Sequence, residues 1–442
     1  MAYSSYVLPP SERAPRWSLS MAWWALFSAM FWIYVAVASA GAVGLIDTLV
    51  GMALTVATYG VVNLVLARYA ARTGLTVELA SRSMFGVLGS ALATLIFAAT
   101  AIYYCVFEGS IIAIAFQKTF GGDIAAWYAL VVAYAIPLAS GPVQRWLDRL
   151  NGLLLPVYAV GLVLVVIFAT VQHGVPESVF DVAASGPLPG WVSSYLIYMG
   201  VWIMMMYTFD YARMGRPEDE RFHGRFTFGW VFYLFTFAVN GLVGIYIIAA
   251  TGHEGSETGV VDAFLGTMGL FGLLVIFVSQ TRINTANYYL ASTNLDAFAT
   301  RVFRLALPRW VWVVVAGVVA YLLMLTNVVS WLLKALAWQG VFVVAWVAIA
   351  LVFIRATRGR DVVPEVRREL LPRFTLGALA WVVASATGIL LTEFAATTAI
   401  GAAAPIVTFG IAAAGAGIAF RIQPPPVVDE AEAPSVDEQL MA

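Results

Sequence analysis

The chain has 442 residues and a net charge of −1; 62% of its residues are hydrophobic, only 11% are charged, and the mean hydropathy is +0.87. A soluble domain carries roughly a quarter charged residues, so the composition excludes an aqueous environment for most of the chain and predicts an integral membrane protein. The near-zero charge gives no basic field for nucleic acid, and the single cysteine, Cys105, excludes a disulfide framework.

Twelve apolar segments are long enough, at about 20 residues, to cross the bilayer core. The first follows Arg13 and Arg16 and contains the small residues 38–40, a pattern typical of a signal peptide. Its apolar run exceeds the usual ~7–15 residues and many such segments follow, so we interpret it as a retained helix. The segments are 20–42, 45–67, 88–117, 124–141, 152–172, 191–210, 226–250, 261–291, 308–326, 328–354, 374–393 and 398–420.

Basic residues occur in every second loop between these segments. Cytoplasmic loops carry an excess of Lys and Arg, so the alternation predicts a multi-pass protein of the cytoplasmic (inner) membrane with both termini in the cytoplasm. The tail 422–442 is acidic and Pro-rich, a composition that predicts disorder. The basic loops hold Arg68, Arg72, Arg82, Arg145, Arg149, Arg213, Arg216, Arg221, Arg225, Arg301, Arg304, Arg309, Arg355, Arg358, Arg360, Arg367, Arg368 and Arg373, whereas the opposite loops hold Lys118 alone.

Ionisable residues inside the segments are the strongest functional signal, because each costs at least ~2.5–3.5 kcal/mol at the centre of a membrane helix. Glu108 lies in segment 3, Arg282 in segment 8 and Lys334 in segment 10. Polar groups persist in lipid only where protein or a water-filled cavity satisfies them. We therefore expect the stretches around Glu108 and Arg282 to face the interior of the bundle.

Amide side chains form a stripe along segment 8. Gln280, Asn284 and Asn287 recur at helical spacing, and each amide offers an acceptor and donors side by side, which suits the edge of a heterocycle. The alternative is that these amides only hold helices together, a common use of polar residues in membranes. Metal-binding clusters and enzyme motifs such as His-Glu-x-x-His do not occur in the segments, so we expect neither a cofactor nor catalysis.

Aromatic residues beside these polar groups are candidates for stacking against a planar ring. Tyr103 and Phe107 are four residues apart on segment 3, next to Glu108, and Trp202 and Tyr207 lie in segment 6. In a chain with 14% aromatic residues, the alternative is ordinary packing.

Three stretches, in order along the chain, resemble the nucleobase:cation symporter-1 family of cytosine and purine permeases and of hydantoin and allantoin carriers. They are 72–76 (RTGLT) with 80–86 (ASRSMFG) between segments 2 and 3, 209–216 (FDYARMGR) ending segment 6, and 284–292 (NTANYYLAS) in segment 8. The resemblance extends from about 15 to 355.

The resemblance implies an all-α polytopic membrane protein of the LeuT type, with two inverted five-helix repeats and two extra helices. On this basis we expect a cytoplasmic segment 1–19, a first repeat 20–172, an inverted second repeat 191–354 and the extra pair 374–420. In such transporters the substrate site lies near mid-membrane, at the interface between the repeats.

The resemblance also implies roles for individual residues at a substrate site between segments 1, 3, 6 and 8. An aromatic of segment 3 and a tryptophan of segment 6 sandwich the ring in that family, and amides of segment 8 hold its edge. The corresponding candidates here are Tyr103, Phe107, Glu108, Trp202, Asn284 and Asn287, with Ser28 and Trp32 from segment 1, which carry no motif of their own.

Arg282 departs from the family pattern. Sodium-coupled members place hydroxyl residues of helix 8 against helix 1, whereas Thr281 and Arg282 stand around that position here. A guanidinium is permanently charged and would repel a sodium ion nearby, so our hypothesis is that Arg282 replaces the ion. Transport would then be driven by protons or by the substrate gradient alone. The sequence does not decide whether the coupling ion is H⁺ or Na⁺.

Glu108 is the candidate proton carrier. If segments 3 and 8 are counterparts in the inverted repeat, Glu108 and Arg282 both line the path, at opposite depths of one cavity. The alternative is a fixed structural charge pair, such as Arg282 with Asp210.

The function expected from the sequence is import of a planar heterocycle by alternating access, in a monomer surrounded by lipid. The alternatives are an amino-acid or amine transporter of the same fold, and a membrane sensor that does not transport.

Overall fold

The computed structural model describes residues 7–140, 143–305, 307–326, 332–357 and 371–425. Helices dominate this part of the chain, and the one extended pairing found in it joins Ala14 to Gly215. The helices are α1a (Arg16–Ser28), α1b (Phe31–Val43), α2 (Leu45–Thr73), α3 (Val77–Phe120), α4 (Ile124–Ala139), α5 (Val143–His173), α6a (Gly190–Met199), α6b (Ile203–Ala212), α7 (Pro217–Thr251), α8 (Leu270–Val302), α9 (Arg309–Leu325), α10 (Leu332–Ala356), α11 (Leu376–Phe394) and α12 (Ala404–Ile422). The end of the chain after residue 425, where we expected disorder, lies outside the described residues.

The helices confirm the predicted all-α polytopic membrane protein. Within the described ranges, seven helices are long and apolar enough to cross a bilayer, and nine when each of the broken helices α1 and α6 counts as one span. Of the remaining three, α4 and α9 are apolar but shorter, at 16 and 17 residues. The third, α8, is 33 residues long and carries the polar stripe.

The first and sixth helices are broken, whereas the sequence predicted continuous helices over 20–42 and 191–210. The two parts of α1 meet at 45° and those of α6 at 44°. Ala29 ends α1a in an extended conformation (φ −60°, ψ 126°). The two predicted spans are present, but their breaks were not predicted, because neither break contains proline and hydropathy runs unchanged through both. Contacts from other helices hold the breaks open.

The boundaries of segments 3 and 8 also differ from the prediction. The run 261–291 spans two helices, because the short helix Glu257–Met268 ends at Gly269, whose φ of 57° favours glycine, before α8 begins. Segment 3, predicted over 88–117, starts eleven residues earlier, at Val77. A glycine with φ 83°, Gly86, bends it there, and the carbonyls of Pro372 and Arg373 accept the next two backbone N–H groups.

A glycine pair joins the break of α6 to α10. A Cβ added to Gly340 would lie 3.0 Å from the Cα of Gly200, tighter than nine in ten real Cβ contacts. We expect Gly340→Val to force α10 off the α6 break and destabilise the protein by about 2 kcal/mol, in the range for overpacking. Thermal unfolding in detergent measures this, with Gly410→Val on α12, where no atom lies within 4 Å of the added Cβ, as the control. Equal stability of the two variants would contradict the contact.

Ion pairs lie at both ends of the bundle. On the side of the basic connectors, hereafter the basic side, Glu220 at the start of α7 pairs with Arg68 (2.9 Å) and Arg72 of α2. On the opposite, acidic side, Lys118 at the end of α3 pairs with Asp262 of the short helix Glu257–Met268 (2.8 Å). These pairs tie connectors to the helix ends on each side.

Lys334 is not part of the bundle centre. It pairs with Glu393 of α11 at 2.8 Å, and 44% of its side chain is exposed. Of the three ionisable residues that the sequence analysis placed inside segments, only Glu108 and Arg282 are buried, each at 1% exposure.

Candidate functional site

Gln280 of α8 connects three helices at the centre of the protein. Its Nε2 donates a hydrogen bond to the Glu108 carboxylate of α3, and its Oε1 accepts from the backbone N–H of Met30 in the α1 break at 3.1 Å. All three residues are at most 1% exposed. One amide therefore satisfies both a buried carboxylate and a backbone donor that the break removed from its helix.

Side chains also satisfy the carbonyl groups released by the α1 break. Four consecutive carbonyls, 25 to 28, each accept a hydrogen bond from a side chain. Two donors belong to α1 itself: Ser28 bonds the carbonyl of residue 25 and Trp32 that of residue 26, each at 2.8 Å. The other two come from outside α1: Asn240 of α7 bonds the carbonyl of residue 27 at 2.8 Å, and Ser279 of α8 that of residue 28.

Arg282 lies beside α5. Its guanidinium and the Glu108 carboxylate are both within electrostatic reach of the Tyr158 hydroxyl, which donates to the Asn240 amide at 2.9 Å. Asn240 in turn bonds the α1 break. Arg282 is thus linked to that break through α5 and α7.

Glu108 and Arg282 lie at the same depth, so the expectation of opposite depths was wrong. Glu108 is twelve residues before Phe120, the acidic-side end of α3, and Arg282 is twelve residues after Leu270, the acidic-side end of α8. At 1.5 Å per residue, each is about 18 Å from its end. The error arose because the predicted segment 8 began in the short preceding helix.

Asn284 and Asn287 follow Gln280 on α8 and are 2% and 1% exposed. Both polar atoms of the Asn284 amide, and Nδ2 of Asn287, are buried without a hydrogen-bond partner in the part of the chain that the structure describes. Asn284 approaches α3 where Gly109 leaves room, with its Nδ2 3.5 Å from the position of an added Cβ. Unsatisfied buried amides of this kind are costly, and a bound ligand would satisfy them.

The aromatic wall beside Glu108 combines α1b and α3. Phe31 contacts Tyr104 and Phe107 edge to face, at centroid distances of 5.3 and 5.2 Å. Tyr104 is one helical turn before Glu108 and therefore on its face. Tyr103 lies apart, half-buried and within electrostatic reach of Tyr34 and of Glu257 on the acidic side.

The structure brings together only some of the predicted site residues. The indole of Trp202 contacts Tyr59 of α2 (6.3 Å) and Phe409 of α12 (5.9 Å), and the α6 ring that stacks on α3 is Tyr207, 5.0 Å from Phe97. The side chains of Ser28 and Trp32 bond carbonyls of the α1 break, as described above. The hydroxyl of Thr281 bonds Tyr134 of α4 at 2.9 Å, so the α8 hydroxyl that contacts α1 is that of Ser279.

Several residues of the centre were not expected from the sequence. Gln280 was placed on the stripe but not against Glu108, and its neighbour Ser279 could have been found as the hydroxyl nearest to the expected ion position. Tyr158 and Asn240 are single polar residues in apolar segments, a signal that the sequence analysis did not use.

Two broken helices around a buried polar centre between α1, α3 and α8 are typical of a membrane-transporter fold. The chain is similar over its whole length to solved structures of Mhp1, a nucleobase-cation-symport-1 family transporter. With Mhp1 in a closed conformation with bromovinylhydantoin bound, the TM-score is 0.78 at 16% identity, covering 98% of both chains. With inward-facing Mhp1 it is 0.77 at 17% identity, covering 98% of this chain and 96% of that chain.

The fold is shared more widely. A sodium-coupled sialic acid symporter, in a substrate-bound outward-open state, matches with a TM-score of 0.62 and 13% identity, over 94% of this chain and 91% of that chain. At such identities the likeness establishes the fold, which is the LeuT type that the sequence predicted. No protein-family model and no curated protein matches the sequence.

Proposed function

We propose that this protein is a secondary transporter that moves a planar heterocycle with an amide edge, such as a nucleobase or hydantoin, by alternating access. The observation that carries the proposal is the pair of buried amides Asn284 and Asn287, whose unsatisfied atoms lie on the helix face that begins with Gln280. An amide side chain can pair with adjacent N–H and C=O groups of a ring, and Phe107 and Tyr104 supply flat surface nearby.

An amino-acid or amine transporter of the same fold is the second candidate, supported by the buried carboxylate Glu108, which would attract an ammonium group. Against it, the carboxylate already bonds Gln280, whereas the two asparagines hold open donors and acceptors. A sensor without transport has no further domain in the described residues to support it.

A panel of ligands tests the proposal. Thermal shift of the purified protein against nucleobases, hydantoins and amino acids, followed by uptake into proteoliposomes, should show a response to heterocycles alone. We expect Asn284→Ala and Asn287→Ala each to weaken binding about tenfold, the value of a lost hydrogen bond that leaves its partner unsatisfied. The control is Asn294→Ala on the same helix. The Asn294 amide donates to the backbone carbonyl of Leu290, one turn earlier, at 3.0 Å. Stabilisation by amino acids alone would refute the heterocycle class.

We propose that transport does not require sodium. A sodium site in the α1 break would need its carbonyl oxygens, and here four successive carbonyls each accept from a protein donor. Arg282, on the helix that contacts this break, adds a fixed positive charge. We propose Glu108 as the carrier of a coupling proton, since it is a buried carboxylate whose hydrogen-bond partner is a neutral amide.

Replacing sodium by choline on both sides of proteoliposomes should leave the initial uptake rate within about twofold, since sodium contributes no binding energy that would move the conformational equilibrium. An inward proton gradient is the positive arm of the same assay. Uptake that depends on sodium would show that the carbonyls of the α1 break exchange their donors for an ion.

The arrangement in the membrane is also proposed. The breaks in α1 and α6, five helices apart, support repeats over 20–172 and 191–354, with 374–420 as the extra pair. The basic connectors support a cytoplasmic basic side in a cytoplasmic (inner) membrane.

A further inference from the structure

Exposed aromatic and basic side chains cluster on the basic side, where α1a and α7 begin. Trp17 of α1a is 53% exposed, and its ring contacts Phe222 and Phe226 of α7 edge to face, at centroid distances of 5.1 and 5.7 Å. An exposed indole at the start of a membrane helix is typical of the level of the lipid headgroups. We call this surface the α1a–α7 face; it consists of Arg16, Trp17, Arg221, Phe222, Arg225 and Phe226.

Three guanidiniums surround these rings. That of Arg16 lies over Phe222, 5.4 Å from the ring centroid. Arg221 and Arg225 precede and follow Phe222 on α7, about one helical turn apart. All three arginines are exposed, and none of them forms an ion pair within the part of the chain that the structure describes.

The carboxylates at the start of α7 do not neutralise this charge. Glu220 is paired with two arginines of α2, and Glu218 is within electrostatic reach of Arg13. Asp219 approaches Arg16, since both are within electrostatic reach of the same histidine. One carboxylate beside three guanidiniums leaves an excess of positive charge, and guanidinium donors suit the oxygens of a phosphate group.

The α1a–α7 face lies at the edge of the membrane and continues into it. The apolar runs that the sequence predicts begin at residues 20 and 226, so Arg16 precedes one by four residues and Arg225 the other by one. Beyond them, Trp24 stacks on Phe226 at 5.2 Å and contacts Phe235, which is 40% exposed. Phe235 is about 13 Å along α7 from Phe226. Charges at the membrane edge, followed by exposed rings, match the headgroup and the acyl chain of one lipid.

We propose that the α1a–α7 face binds an anionic phospholipid. Its phosphate accepts hydrogen bonds from Arg16, Arg221 and Arg225, while an acyl chain lies along Trp24 and Phe235. A zwitterionic lipid offers the same phosphate, but its quaternary ammonium returns a positive charge to the arginines. A free phosphate ion would leave the exposed rings uncovered. This partner lies outside the transport function proposed above, and the proposal does not depend on that function.

Binding of single lipids to the purified full chain tests the proposal. Phosphatidylglycerol and phosphatidylcholine with identical acyl chains are titrated separately into the protein in detergent, and bound lipid is counted by native mass spectrometry. Each arginine near an anionic membrane surface contributes a factor of about five. We therefore expect at least about tenfold tighter binding of phosphatidylglycerol. In the variant that combines Arg16→Gln, Arg221→Gln and Arg225→Gln, this preference should fall below about threefold.

A charge-matched variant separates a site from a general electrostatic field. Arg304→Gln, Arg355→Gln and Arg421→Gln together remove the same charge from exposed positions on the basic side, at the ends of other helices. This control should keep the preference for phosphatidylglycerol. Equal loss of the preference in both triple variants, or no preference in the wild type, would overturn the proposal.

Thermal unfolding distinguishes the lipid from a soluble phosphate ligand. Phosphatidylglycerol should raise the unfolding temperature of the wild type and not that of the first triple variant, because a ligand stabilises only the protein that binds it. Inorganic phosphate at the same concentration should raise neither. Equal stabilisation of the wild type by inorganic phosphate would overturn the lipid as the partner. If the triple variant does not fold, each single glutamine variant should still lose about fivefold in phosphatidylglycerol binding, and three unchanged single variants would refute the site.

Discussion

Gln280→Met is expected to abolish measurable uptake and to destabilise the protein by about 3 kcal/mol. The substitution keeps the length of the side chain but leaves the Met30 N–H and the Glu108 carboxylate without Gln280, and each unsatisfied buried group costs about 1–3 kcal/mol. Because the lost bonds join α8 to the α1 break and to α3, the cost falls on the contacts that hold the centre in one conformation. A bias of about 2 kcal/mol between conformations changes their ratio by a factor of up to about 30.

The same substitution at Gln172 is the control. Gln172 of α5 bonds the carbonyl of Thr267 at 2.9 Å on the acidic side and is largely exposed, so Gln172→Met should cost less than about 1 kcal/mol. Thermal unfolding in detergent and initial uptake rates measure both variants. Wild-type uptake by Gln280→Met would show that the bridge is incidental packing.

The sequence predicts the fold through composition and loop charge. Twelve apolar segments with alternating basic connectors are a property of the whole chain. Each apolar segment is expected to form a helix, because a chain crossing lipid must satisfy its own backbone hydrogen bonds. The breaks at Ala29 and Gly200–Trp202 were not predictable in this way. They depend on partners distant in sequence, such as Asn240, Ser279 and Gly340, which no local pattern connects to them.

The site was predictable to the extent that burial of polar groups in a membrane is costly. That rule identified Glu108, Arg282 and the α8 amides, all of which are buried at the centre. It did not show which aromatic faces them: Tyr103 and Tyr104 are adjacent, and only Tyr104 shares the face of Glu108. A hundred degrees of helix rotation separates the two, and packing against Phe31 decides between them.

The second large expected effect concerns the two buried charges. Our hypothesis is that Glu108 and Arg282 compensate each other's charge, in which case Glu108→Gln and Arg282→Gln should each destabilise the protein by about 3 kcal/mol, because each substitution leaves the other charge uncompensated. The charges share a depth and the Tyr158 hydroxyl. In the double variant both charges are gone, while the amide introduced at position 108 can still accept from Gln280. The loss of stability in the double variant should therefore fall short of the sum of the two single losses by at least about 1 kcal/mol.

The double-mutant cycle also separates stability from coupling. If Glu108 carries the proton, Glu108→Gln and the double variant should both lose stimulation by a proton gradient, whereas Arg282→Gln should retain it at a lower rate. Additive stabilities, measured by thermal unfolding of all four proteins, would show that the two charges do not sense each other. If Glu108→Gln is still stimulated by a proton gradient, a group other than Glu108 carries the proton. The double variant keeps a hydrogen bond from Gln280 to position 108. If it recovers stability but not stimulation by a proton gradient, the charges of Glu108 and Arg282 serve proton coupling, and the hydrogen bonds of Gln280 serve to hold the helices together.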